Sequence, residues 1–195
     1  MLVQTHFQFA DYLYEKISEY IPFELNKKYF TLGNMEPDFP LIYAGIKHYK
    51  EKNFDFVLNL IDNLQNEQVV LSTPSIRNFS EKLGTINHFL CDYFCKPHVD
   101  RAYYSSHLKE HLVYEKLLHK HVINEKYSLT SFDLEPVEDF SSVKSYINTL
   151  IDMYLDKKDS FDKDISFALS ACVALNFSII QNTVIVPAVL SYKTL

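Results

Sequence analysis

The sequence predicts an all-α protein, a single multi-helix domain over residues 1–195. Three observations carry that expectation. Only 3 of the 195 residues are Gly, against an average of about 7 %, and all-β folds need many tight turns at positive φ, which Gly supplies at least cost. Apolar residues recur at three-to-four spacing along most of the chain, the period of a helix buried on one face. The length, with 47 % hydrophobic and 23 % charged residues, suits one compact core and excludes intrinsic disorder and a collagen-like repeat.

The elements follow in order. Over about residues 5–21, Phe9, Tyr12, Leu13, Lys16, Ile17 and Tyr20 keep helical spacing, and Pro22 ends the run. A loop is expected through TLGNMEPDFP, punctuated by Gly33, Pro37 and Pro40. Helices are then expected over residues 41–50 and 54–64. Thr73-Pro74 reads as a cap followed by Pro in the first turn, opening a long helix through Phe79, Leu83, Ile86, Leu90 and Phe94 that stops at Pro97. Further helices are expected over residues 105–124 and from Pro136 to about residue 155. The run DKKDSFDKD at residues 156–164 reads as a solvated connection. An apolar final helix over residues 165–190 completes a bundle of roughly seven helices.

Charge and composition narrow the function. The net charge is -6 and Arg77 and Arg101 are the only Arg, so no broad cationic surface for a nucleic-acid backbone, and no stable nucleic-acid partner, is expected. Residues 1–10 carry no basic n-region, and Gln4, His6 and Gln8 break any apolar run, so a cytoplasmic location is expected. Cys91 and Cys95 lie four apart on one expected helix, a poor geometry for a disulfide, and reduced thiols fit best. Residues 165–190 are interrupted by Ser170, Asn176, Ser178, Gln181, Asn182 and Thr183; they read as a buried core helix, and no transmembrane segment is expected.

The chemistry concentrates in His and carboxylates. Eight His accompany 25 acidic residues, and spacing decides which of them matter. His88 and Asp92 are four apart on the long helix, hence on one face and able to grip one metal. His98 follows Pro97, where the chain turns. His107, His111, Glu115 and His119 each follow the last by four, which is either a chelating stripe or a polar surface stripe. Asp38 follows Pro37 in a loop, with His48 ten residues later, and His6 opens the first helix. Cys91 and Cys95 flank Asp92, as small buried apolar residues or as soft ligands.

Taken together, these residues resemble the zinc-dependent phospholipase C family, whose fold is shared with single-strand-specific nucleases. The family pattern is an early His, a Gly-x-x-x-Pro-Asp loop, a His, then His-x-x-x-Asp-x-x-x-x-x-His, then His-x-x-x-Glu or Asp. Here the series is His6, Gly33 to Pro37-Asp38, His48, then His88, Asp92 and His98, then His111 and Glu115. The resemblance implies an all-α domain of the phospholipase C and nuclease type. It also implies a hydrolase of phosphodiester bonds that uses two to three Zn2+ ions to activate water. By it, Asp38, His48, His88 and Asp92 would hold one zinc, His98, His111 and Glu115 a second, and His6 with a bridging Asp92 a third. Asp38 is in addition the candidate for orienting or deprotonating the attacking water. The implied substrate is a phospholipid or another phosphodiester.

The chain departs from the family at its start. Secreted members use the amino group and carbonyl of an N-terminal Trp on the third zinc, and this chain has no Trp. Either Met1, five residues before His6, offers its own terminus, or His6 uses another backbone group, or that site is weak or empty. His107 with His111 is an alternative to His111 with Glu115; the interval from His98 favours the latter. Glu115 in place of Asp leans to the phospholipase branch over the nucleases. The competing reading from another class is a non-catalytic bundle with a structural zinc core.

Overall fold

The computed structural model describes residues 1–39, 43, 45–124 and 143–188. Its helices are α1 (Val3–Ser18), α2 (Lys27–Met35), α3 (Lys50–Gln65), α4 (Thr73–Tyr93), α5 (Lys96–Val99), α6 (Arg101–Tyr104), α7 (Leu108–Asn124), α8 (Val143–Leu155) and α9 (Phe161–Asn182). A 3₁₀ turn, Glu36–Asp38, extends α2. Two three-residue strands, β1 (Gln68–Val70) and β2 (Val184–Val186), pair in parallel with Gln68 opposite Val184. The fold is all-α, as the composition requires.

Helix α4 is the axis of the bundle. From Leu83 to Tyr93 every residue is buried, because α2, α3 and α9 surround it; a helix covered all round needs no polar face. His88 and Asp92 are therefore core residues and not members of a solvated stripe. Helix α9 is long and apolar enough to cross a membrane by length and composition, yet 72 % of its most apolar window is buried within the fold, the profile of a core helix.

Several local expectations change. Residues 31–35, expected as the start of a loop, belong instead to α2, in which Gly33 is an interior helical residue. The reason is a close crossing with α4. A Cβ at Gly33 would strike the Glu81 carbonyl oxygen and lie 3.0 Å from the Thr85 N, and one at Gly84 would strike the Phe30 carbonyl oxygen and lie 2.9 Å from the Asn34 N. Each helix offers its glycine to the other's backbone. The helix expected over 41–50 is absent from residues 45–49, which form a turn with Gly45 at φ 90; Leu41, Ile42 and Ala44 lie outside the described residues.

Helix α4 ends at Tyr93, before Pro97, and Pro97 instead sits in the first turn of α5. The cap of α4 is Ser72, in extended conformation, and not Thr73. The helix expected from Ser105 begins at Leu108 after the short α6. The expected start near Pro136 lies outside the described residues. Helix α9 begins inside the charged run: the Ser160 side chain caps it by accepting from the Lys163 N at 3.1 Å, and Lys163 and Asp164 are buried. The apolar tail leaves the helix at Asn182 and its Val-Ile-Val segment forms β2, as β-branched residues favour.

Candidate metal centre

All eight residues of the series converge at the core end of α4. His6 comes from the first turns of α1, Asp38 from the 3₁₀ turn after α2, and His48 from the segment before α3. His88 and Asp92 face inward from α4, His98 comes from α5, and His111 and Glu115 from α7. Asp92 is the hub. Its Oδ1 accepts from the Met1 α-amino group and lies 3.4 Å from His6 Nε2. Its Oδ2 lies 3.1 Å from His48 Nδ1, 3.5 Å from His98 Nδ1 and 3.6 Å from His88 Nε2.

Backbone carbonyls orient two of the rings. His88 Nδ1 donates to the Asn34 carbonyl at 2.9 Å, and His98 Nδ1 donates to the His48 carbonyl at 2.7 Å. Such partners fix the tautomer and aim Nε2 inward. His88 Nε2 lies 3.1 Å from His48 Nδ1 and 3.8 Å from Asp38 Oδ1. His98 Nε2 faces Glu115 Oε1 at 3.0 Å, and His111 Nε2 reaches the same oxygen at 2.9 Å. With Nδ1 committed as donor, the lone pair of a neutral His98 faces a carboxylate oxygen, so a proton or a cation belongs between them. The Met1 α-amino group approaches that point, 3.1 Å from His98 Nε2 and 3.3 Å from Glu115 Oε1.

The donor set fits a divalent cation of zinc's preferences. His6 is fully buried, its ring stacked 3.9 Å from that of His88, and neither of its nitrogens has a hydrogen-bond partner. Asp38 Oδ2 is likewise without a partner. Buried polar atoms are nearly always paired, and imidazole and carboxylate are zinc's usual nitrogen and oxygen ligands. Among the described residues, three sets have ligand atoms within 4.8 Å of one another inside each set: His6, His88 and Asp92; Asp38, His48 and His88; and Cys95, His98 and Glu115.

Burial and mutual charge set the protonation states of the metal-free centre. Burial pushes the Asp92 carboxyl up, but the charge of His98 and the Met1 amino group outweigh it and hold Asp92 well below the usual range. Glu115 is lowered in the same way, against its burial, by the amino group and the two His beside it. Burial, then the charge of His6, keeps His88 well below its ordinary value and so neutral. Burial raises Asp38, against the pull of His6. His6 goes the other way: burial lowers it, yet the adjacent Asp92 carries it from 6.5 to about 9.

A pH dependence follows for protein stripped of metal. A proton that His6 holds more tightly when folded stabilises the fold fully below pH 6.5, and that contribution is lost as pH rises through about 9. His88 has the opposite sign and costs stability as pH falls below its ordinary value of 6.5. The thermal midpoint of metal-free protein is expected to fall from pH 6.5 to 9, and His6→Gln is expected to flatten that limb, as differential scanning calorimetry would read.

The other His are engaged elsewhere. His107 stacks on Tyr103 at 4.0 Å and contacts its carbonyl. His119 Nδ1 lies 3.2 Å from Thr5 Oγ1 and His121 Nε2 lies 2.8 Å from Asp162 Oδ1, so both tie α7 to neighbouring helices. Cys91 packs 3.6 Å from Cys172 as a buried thiol, while Cys95 lies beside the ligand atoms of His98 and Glu115. Sequence reasoning missed the carbonyls of Asn34 and His48, and a backbone group leaves no mark in residue identity.

The profile of the family described as Zinc dependent phospholipase C matches residues 5–161. No curated protein and no solved structure matches significantly. Because the family match runs from the helix that carries His6 to the first residue of α9, and so takes in every element that reaches the centre, the chain belongs to the zinc-dependent phospholipase C family.

Proposed function

We propose that the protein is a zinc-dependent phosphoric diester hydrolase acting on a phospholipid, with two to three zinc ions at this centre. The observation that carries the reading is the fully buried His6 ring, stacked on His88 with its Nε2 3.4 Å from Asp92 Oδ1 and no well-formed hydrogen bond at either nitrogen, an arrangement that a shared cation would satisfy. His6 and Asp92 would hold one ion. Asp38, His48, His88 and Asp92 would hold a second, and His98, His111 and Glu115 a third, with Cys95 within reach. Bound there, zinc supplies a Lewis acid for a phosphoryl oxygen and lowers the pKa of water.

The chain's own residues would do the rest. Asp38 is half-buried with a free Oδ2, suited to orient the attacking water and take its proton. The Asn34 and His48 carbonyls keep the His88 and His98 rings aimed at the reacting centre. A lipid substrate is supported by α7. Leu108 is 66 % exposed and Leu112 43 % exposed, each three residues before a centre residue, His111 and Glu115, with exposed Lys109, Lys116 and Lys120 alongside. An apolar and cationic face beside the centre suits a lipid and its phosphate. Nucleic acid is less well served: Arg77 and Arg101 lie over the Tyr29 and Tyr49 rings. Three free thiols support a reducing compartment such as the cytoplasm.

The test is elemental analysis of purified protein joined to turnover on a short-chain phospholipid, bis-p-nitrophenyl phosphate and single-stranded DNA. The expected result is two to three zinc per chain and phospholipid hydrolysis that chelation abolishes and zinc restores. Less than one zinc per chain would overturn the centre. Zinc without turnover on any diester would establish a structural zinc core, and preference for DNA would establish the nuclease-like alternative.

A further inference from the structure

Helix α9 contributes no residue to the centre, and all but its first residue lies beyond the family match. Its first turn nevertheless sends one buried carboxylate toward the elements that do contribute. Asp164 is fully buried and accepts three hydrogen bonds. Its Oδ2 takes the Lys96 backbone N–H at 3.0 Å and the Tyr114 hydroxyl at 2.9 Å; its Oδ1 takes the Tyr154 hydroxyl at 2.7 Å.

The two oxygens serve different parts of the fold. Lys96 is the first residue of α5, the four-residue helix that holds His98, and Cys95 before it gives no side-chain cap. Asp164 satisfies that helix's first orphan donor from another helix. Tyr114 lies between His111 and Glu115 on α7. One oxygen thus ties together the two segments whose side chains meet at 3.0 Å, His98 Nε2 to Glu115 Oε1. The other oxygen holds Tyr154 of α8, whose ring also carries Lys163 Nζ 3.9 Å from its centroid; α8 brings no residue to the centre.

We infer that Asp164 is a positioning residue for the zinc ion assigned to His98, His111 and Glu115, setting the separation of α5 and α7 through its Oδ2. This rests on the zinc reading of the centre. Groups that orient ligands from behind typically change metal affinity by about 10–100-fold when removed.

The two tyrosines make the test selective, since Tyr114→Phe and Tyr154→Phe each delete one hydroxyl from the same carboxylate. Stepwise zinc affinity is measured by competition with a chromophoric chelator, and the thermal midpoint of each metal-free protein is measured beside it. Tyr114→Phe and Asp164→Ala are expected to weaken one zinc at least about 10-fold and leave the remaining zinc unchanged. Tyr154→Phe is expected to lower the metal-free midpoint with zinc affinities intact. Asp164→Asn, which keeps an oxygen for Lys96 and Tyr114 and can donate to Tyr154, is expected to retain affinity close to wild type.

Equal zinc affinities in the two Phe variants would overturn the inference, as would a lowered midpoint in Asp164→Ala with every zinc retained. If Asp164→Ala fails to fold, the Phe pair decides alone. A wild-type chain that binds no zinc would overturn the reading of the centre and this inference with it, an outcome distinct from a wild type that binds zinc and Phe variants that behave alike.

Discussion

Replacing Asp92 with Ala is expected to strip at least one zinc from the centre and, on the hydrolase reading proposed above, to abolish turnover. Asp92 touches Met1, His6, His48, His88 and His98 from a fully buried position, and it would belong to two of the three ion sets. Its loss leaves an amino group and raised imidazoles buried without their counter-charge, a change that typically costs about 3–5 kcal/mol. Asp92→Asn separates charge from shape by keeping the volume. Both variants are expected to lose at least one zinc per chain by elemental analysis. Both should also lose more than about 100-fold in turnover, since even groups acting through a ligand cost about 10–100-fold. An Asn variant with full zinc content would show that the carboxylate's charge is dispensable.

Gly84→Val is expected to damage stability and the centre together. The added Cβ strikes the Phe30 carbonyl and crowds the Asn34 N at 2.9 Å, both of them helix backbone that cannot rotate away. Overpacking costs typically 1–3 kcal/mol, and with rigid backbone on both sides we expect about 3 kcal/mol or more, roughly 10 °C in a chain of this size. The second effect is chemical. Pushing α2 from α4 withdraws the Asn34 carbonyl from His88 Nδ1 and moves Asp38 at the end of the following turn, so zinc affinity falls as well. Gly45→Ala is the control. It has open space around its Cβ and only a positive φ to strain, so it should cost about 1–2 kcal/mol with zinc affinity unchanged.

The same crossing explains what the sequence conceals. Gly33 lowers helix propensity by about 1 kcal/mol and sits among turn formers, so residues 31–35 read as loop. Only the packing of α2 on α4, a contact between residues far apart in sequence, restores the helix. Ligand order and the i,i+4 pair of His88 and Asp92 are legible because helical geometry is local and His is rare. Asp164 is not, because a carboxylate in a run of charges carries no sign that a helix start will bury it. The β1–β2 pair is missed for a related cause, since each strand has three residues and its partner lies more than a hundred positions away.

The spread of the centre along the chain has a consequence for how the fold is held. All three cysteines are free thiols, and the centre gathers segments far apart in sequence without a covalent bridge. His48 and His88 are 40 positions apart, and Met1 and Asp92 are 91 apart. A cation gripping both ends of such intervals restricts the unfolded chain as a disulfide would, by closing long loops whose entropy of closure grows with length. In a reducing compartment the imidazoles and carboxylates would then be the protein's cross-links, reversible by chelation where a disulfide is reversible by reduction.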